Sequence, residues 1–177
     1  YPRWLSRMNG GFGSPTFFFY PPLPYYLTAL FSWIPEHNML GCTPLGLSIS
    51  LALILSGISA YYWLREFTPA NYALGLAMLY MVLPYHFLID LYVRFSFAEF
   101  WSFAWMPLIL YCSKRISRGE PHGVVGLGIS LALLITTHLP TFLIFLPILV
   151  GYSLVACGSI PRLIAWTRNG LGIMLGI

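Results

Sequence analysis

An all-α, polytopic membrane fold is the class this sequence predicts, and composition, segment length and charge placement all point to it. Hydrophobic residues make up 58% of the 177 and charged ones 8%, where a water-soluble domain carries about 25% charged residues. The apolar residues fall in runs close to the roughly 20 residues that one bilayer crossing needs. Nearly every charge sits in the short gaps between runs, too short for a soluble domain. The reading is about five spans preceded by a helix on the outer face. The chain begins at Tyr1 rather than Met and stops at Ile177 within an apolar run, so it reads as a piece of a longer protein.

Residues 1–42 read as an outer loop with a juxtamembrane helix. The run 16–34 is apolar, but Pro21, Pro22 and Pro24 crowd its start, remove backbone donors and would break a helix interior. Broken backbone is tolerated in lipid only against protein or a water-filled cavity. Tyr20, Tyr25, Tyr26 and Trp33 resemble an interfacial aromatic belt. The expectation is a helix over 23–33 lying along the outer interface. The alternative is an ordinary span, which would move the N-terminal segment inside. The spans themselves are 43–64, 70–88, 97–113, 122–137 and 139–157, and 170–177 reads as the start of another.

Basic residues orient these spans, because cytoplasmic loops are enriched in Lys and Arg. Lys114, Arg115 and Arg118 form the densest cluster. Placing that loop inside also places Arg65, Arg162 and Arg168 inside. The 35–42 loop, the 89–96 loop and the turn at His138 then fall outside. The expected setting is an integral membrane protein. Nine Lys and Arg against five Asp and Glu, spread over loops, suit lipid headgroups and topology rather than nucleic acid.

Several chemistries lack their signatures. Cys42, Cys112 and Cys157 show no C-x-x-C spacing and join no Cys/His cluster, so they read as small apolar filler and no metal site is expected. Gly10-Gly11-Phe12-Gly13 has no Lys-Ser/Thr behind it and is not a phosphate loop. Gly126, Gly128, Ser130 and Ala132 read as a surface for close helix packing.

The polar residues within or beside the apolar runs carry the functional question, since charge in a membrane is costly and usually functional or paired. Pro84, Tyr85, His86, Asp90, Tyr92, Arg94 and Glu99 crowd one outer turn. His86 with Asp90, and Asp90 with Arg94, are four apart and share a helix face. One reading is a self-neutralising Asp90–Arg94 pair closing a loop. The other is a site in which Arg94 holds a phosphate by its planar fork, with a carboxylate or His86 positioning a polar substrate. Glu99 opens an aromatic-rich run and would serve equally as a helix cap. His138, before Leu139-Pro140, either caps exposed carbonyls or joins the Asp90/Arg94 site. His37, beside Glu36 and Asn38, and His122 read as loop residues.

Three segments together resemble a known family. Pro2–Leu27 (PRWLSRMNGGFGSPTFFFYPPLPYYL), Leu83–Tyr111 (LPYHFLIDLYVRFSFAEFWSFAWMPLILY) and Thr136–Leu149 (TTHLPTFLIFLPIL) are similar to stretches of predicted membrane glycosyltransferases of the GT-C superfamily. The resemblance is in particular to the bacterial membrane proteins labelled 6-pyruvoyl-tetrahydropterin synthase-related. It covers most of the chain and implies a GT-C-like fold acting on the non-cytoplasmic face with a polyprenyl-phosphate-linked sugar donor. Some members of the superfamily need a divalent metal and others do not. By motif, Asp90, Arg94, Glu99 and His138 would be outer-face substrate-binding residues, and Asn9 and Tyr20 would line the same cavity. The family's usual catalytic carboxylate lies in the first outer loop, yet no Asp or Glu precedes Glu36 here. The resemblance therefore implies catalytic residues upstream of Tyr1 and a piece that is inactive alone. Two other readings stand beside it. One is a non-catalytic accessory or scaffold subunit docked to a larger membrane complex. The other is a transporter, for which no inverted repeat is apparent.

Overall fold

Proline sets where most of the helices begin. The computed structural model describes residues 4–34, 43–156 and 158–177, which are all-helical apart from loops and one isolated antiparallel bridge between Leu5 and Ser14. Two short helices, α1 (Thr16–Phe19) and α2 (Leu23–Ala29), come first. The bundle then follows: α3 (Pro44–Leu64), α4 (Ala70–Met81), a wide-turned π-helical segment π1 (Pro84–Val93), α5 (Phe97–Ser117), α6 (His122–Thr137), α7 (Leu139–Val155) and α8 (Arg162–Gly176). Pro44, Pro84 and Pro140 stand in first turns, while Pro69, Pro121 and Pro161 immediately precede α4, α6 and α8. A missing N–H costs nothing at such positions. At α3 the Thr43 hydroxyl accepts from the Gly46 N–H at 3.1 Å and completes the cap.

Among the described residues, two segments are long and apolar enough to cross a membrane: Pro44–Leu64 and Ala70–Val93. The second is not one regular helix. Leu83, at ψ 133°, breaks it before Pro84, as expected for a residue preceding proline. Helices α6 and α7 are apolar but shorter. Helix α8 begins at Arg162, well before Gly170, because its polar residues are absorbed on the helix. Arg168 Nη1 donates to the Gly119 carbonyl at 3.3 Å and Asn169 Nδ2 to the Ala165 carbonyl at 2.8 Å. The run 16–34 is broken as its prolines require. Helix α2 has seven residues and rises about 10 Å, a third of the hydrocarbon core. The 35–42 loop, with Glu36, His37, Asn38 and Cys42, and the residues Arg3 and Cys157 lie outside the described residues.

Packing centres on α5, whose Phe100, Trp101 and Ile109 are fully buried against α3, α6 and α7. Polar bonds stitch neighbours together at modest individual strength. Trp101 Nε1 donates to Ser48 Oγ at 3.2 Å, Trp105 Nε1 to Thr137 Oγ1 at 2.9 Å, and Trp63 Nε1 to the Tyr152 hydroxyl at 3.2 Å. Glycine makes the α6–α8 seam. A Cβ on Gly176 would lie 2.6 Å from the Gly128 carbonyl oxygen, and one on Gly172 would lie 2.8 Å from Leu127. Close backbone approach of this kind needs small residues.

The alternating helix directions sort the loops into two ends. The turn after α3, the α5–α6 turn and the start of α8 meet at one end, where Arg118 pairs with Glu66 and Arg168 reaches Gly119. The π1–α5 junction, the α6–α7 turn, the start of α3 and helix α2 meet at the other.

Candidate functional site

At this second end a cavity of about 450 Å³ opens among Tyr20, Tyr25, Thr28, Arg94, Ser96 and His138, with Phe95 and Phe97 on its floor. Each polar group arrives from a different local structure. Arg94 follows the last wide turn of π1, where its N–H bonds the Ile89 carbonyl at 2.8 Å. Phe95 then takes φ 49°, a left-handed conformation that a bulky side chain adopts only under local constraint. It turns the chain sharply into α5. His138 breaks the run between α6 and α7 in an extended conformation. Thr28 sits on α2, where its hydroxyl is 2.8 Å from both the Pro24 carbonyl and Ser48 Oγ. This ties α2 to α3 and α5 and holds it over the cavity.

Arg94 is the centre of an ion cluster. Its Nη1 lies 3.3 Å from Asp90 Oδ1 and its Nη2 3.1 Å from Glu99 Oε2. The same Nη1 donates to the Tyr85 hydroxyl at 2.9 Å, and that hydroxyl donates to Glu99 Oε1 at 2.8 Å. Ser96 Oγ donates to Glu99 Oε2 at 3.1 Å. Ser96-x-x-Glu99 has the spacing of a capping box, but the hydroxyl is turned to the carboxylate and makes no cap bond. Glu99 thus serves the cluster rather than the helix end. Arg94 keeps 48% of its side chain exposed while Asp90 is fully buried. The Asp90 Oδ2 has no hydrogen-bond partner. Glu99, then Tyr85, raises the Arg94 pKa further, so the guanidinium stays charged.

The His138 ring places Nδ1 2.6 Å from Thr141 Oγ1, one turn into α7, and its Nε2 has no partner among the described residues. Burial is the main cause that lowers the His138 pKa, with Arg94 acting the same way and Glu99 opposing. The imidazole is therefore neutral at pH 7.

Placement of the expected residues is as follows. Arg94, His138 and Tyr20 line the cavity. Asp90 and Glu99 stand behind Arg94 and are not among its lining residues. Asn9 is held elsewhere, in the N-terminal turn at φ 53°, with Nδ2 donating to the Gly13 carbonyl at 2.9 Å. Its expected place in the cavity is corrected on that ground. His86, considered for substrate positioning, is fully buried and stacks on Phe103 at 4.2 Å between centroids. Sequence reasoning assigned no role to Thr28, Ser96 and Thr141, read Tyr25 only as part of the aromatic belt, and named Tyr85 only as a member of the crowded outer turn. The Ser96/Glu99 and His138/Thr141 spacings of three were available signals; nothing in the spacing of nine from Tyr85 to Arg94 announced their bond. Among the described residues no group of three His, Cys, Asp or Glu side chains can share a metal ion. The carboxylates of Asp90 and Glu99 both pair with Arg94.

No family model, no curated protein and no solved structure matches the chain.

Proposed function

We infer that the chain is the membrane-embedded part of a GT-C-type glycosyltransferase, taking a polyprenyl-phosphate-linked sugar on the non-cytoplasmic face of a bacterial inner membrane. The observation that carries this reading is the meeting of Arg94 and His138, from separate helix junctions, on one cavity. Three further features support it: the three-segment resemblance, two segments of spanning length among the described residues, and basic loops gathered at the end away from the cavity. Much apolar surface is exposed on the helices, including Ile54, Leu79, Val125 and Ile148, which suits about five lipid-facing spans rather than water.

In this reading Arg94 contacts the donor's single phosphodiester charge from its exposed side. The neutral His138 contributes an Nε2 that donates or accepts a hydrogen bond. Leaving-group charge is where a preorganised cation acts most strongly. The test is transfer from a polyprenyl-phosphate-linked sugar by the full-length protein. Arg94→Ala and His138→Ala each lower the rate by roughly 10²-fold, while Arg115→Ala at the opposite end leaves it nearly unchanged. Arg94→Lys rescues poorly, because an ammonium cannot reproduce the fork.

A second reading, a non-catalytic accessory or scaffold subunit of a larger membrane complex, is favoured by one specific observation. Two carboxylates already more than offset the charge of Arg94, as a purely structural clamp would. Full transfer activity in both alanine variants selects this reading.

A further inference from the structure

Ahead of the bundle, the turn 5–14 is held by its own hydrogen bonds and points apolar side chains outward. Leu5 and Ser14 exchange backbone bonds at 2.9 and 3.0 Å, and inside that frame the Gly13 N–H donates to the Met8 carbonyl at 2.9 Å. The Asn9 side chain closes the turn on the Gly13 carbonyl at 2.9 Å. Gly10 and Gly11 take φ 66° and 97°, a bend that few other residues make without strain. The Trp4 indole lies so close on Gly13 that no Cβ would fit there. Phe12 stands at the tip, 89% exposed, with Trp4 at 53% and Met8 at 47%. A single exposed hydrophobe needs no explanation. A bonded turn that holds three of them outward, with no freedom to fold back, marks a contact surface.

Helix α3 gives the level of this turn. Its 21 residues rise about 31 Å, the thickness of the hydrocarbon core. Leu45, in its first turn, therefore lies at the edge of the core. Tyr20 walls the same cavity as Leu45, which brings it to the headgroup layer, about 5–8 Å deep. Only Pro15 and the four residues of α1 separate Tyr20 from Ser14. Charge adds an independent condition. Arg7 is exposed on the turn, and no Asp or Glu occurs between Tyr1 and Pro35. Exposed aromatic rings beside a basic residue, at headgroup depth, fit an anionic lipid surface.

We propose that the turn 5–14 is an interfacial anchor, with Phe12 seated in the headgroup layer of the adjoining leaflet and Arg7 against lipid phosphate. The proposal needs only that α3 cross the bilayer, so it stands apart from the glycosyl-transfer reading. Its consequence is positional. Helix α1 ties the anchor to Tyr20, and the Phe17 and Tyr25 rings, 5.5 Å apart between centroids, carry it to α2. The anchor thereby sets the height of this wall of the cavity above the membrane.

The test uses the full-length protein with Cys42, Cys112 and Cys157 replaced by serine, in nanodiscs containing phosphatidylglycerol. A nitroxide spin label is placed on Phe12→Cys or, in a second sample, on Ser6→Cys. Both positions are exposed, so neither change disturbs packing. Collision with oxygen, which concentrates in lipid, is compared with collision with a neutral, water-soluble nickel chelate. The oxygen-to-nickel ratio is expected to be at least twofold higher at 12 than at 6. Changing to pure phosphatidylcholine lowers the ratio at 12 about twofold, and Arg7→Glu lowers it as far in the anionic discs. Equal ratios at 12 and 6 place the tip in water and overturn the proposal. Exclusion of both reagents from 12 also overturns it, because a protein surface then covers the tip. A ratio at 12 that ignores both lipid charge and Arg7→Glu overturns the assignment of an anionic surface.

Discussion

Where the turns after α3 and α5 meet, each paired arginine answers one carboxylate, Arg115 with Glu120 and Arg118 with Glu66. At the cavity end one arginine, Arg94, stands between two, Asp90 and Glu99. The first arrangement closes loops. Arg115 and Glu120 are both about one-third exposed, at 36% and 33%, and a pair of that kind contributes at most about 1 kcal/mol. Both ends bury a carboxylate, Glu66 at the first and Asp90 at the second, but Glu66 Oε2 faces Arg118 whereas Asp90 Oδ2 has no partner, a cost that loop closure alone does not require. A surplus of carboxylate is also a poor phosphate trap on its face, since an incoming anion meets two like charges. Arg94 serves there only through its exposed side, with Tyr85 and Ser96 drawing on the Glu99 charge from behind. One end is built by topology, the other by a constraint that topology does not supply.

The largest contrast is in sidedness and is all or none. In a background with Cys42, Cys112 and Cys157 replaced by serine, a cysteine at Arg115 is expected to resist a membrane-impermeant maleimide in intact cells. A cysteine at Phe95 reacts. Labelling at 115 from outside would invert the assignment of the two ends and move the cavity to the cytoplasmic face.

A smaller contrast is in pH response. His138 faces the cavity with its pKa below the ordinary 6.5, chiefly through burial. An anion bound beside it favours the imidazolium and raises that pKa. Affinity therefore rises as pH falls from 7 through the free value, by at most about tenfold per unit for one coupled proton. A phosphodiester-linked sugar lipid keeps one charge over this range, so the change belongs to the protein. His138→Gln abolishes the rise. A rise that survives in His138→Gln would assign it to another group, and affinity that falls with pH would reverse the sign argued here.

The difference between the ends also explains what could be read from the sequence. Apolar runs alone marked α3, α6 and α7 nearly to the residue, because the structure starts those helices where the runs do, at Pro44, after Pro121 and just before Pro140. They missed the start of α8, since Arg168 and Asn169 interrupt the run and are accommodated only by contacts with Gly119 and Ala165. They also missed the break at Leu83 and the wide turns that follow it. The Asp90–Arg94 pair was legible from spacing alone. Its extension to Glu99 and Tyr85 was not, because it depends on π1 and on the left-handed Phe95. No helical spacing rule anticipates either one. Asn9 was misplaced because a motif carries residue type, not the fold of the turn around it.

The smallest expected effect compares the polar stitches at the two ends. At the cavity end Ser48 Oγ receives Trp101 Nε1 at 3.2 Å and Thr28 Oγ1 at 2.8 Å, with Ser48 and Trp101 fully buried. Ser48→Ala removes the acceptor and strands the indole N–H, a loss of about 1 kcal/mol. At the other end Tyr152→Phe strands Trp63 Nε1, which is half-buried, and costs less, about 0.5 kcal/mol. Reversible unfolding in mixed detergent measures both. Thr28 lines the cavity, whereas Trp63 and Tyr152 do not. Ser48→Ala is therefore expected to weaken donor binding by a few-fold, and Tyr152→Phe to leave it alone. Equal stability losses with equal effects on binding would show that α2 is not held over the cavity by this stitch. The polar bonds at the two ends would then be interchangeable parts of one scaffold.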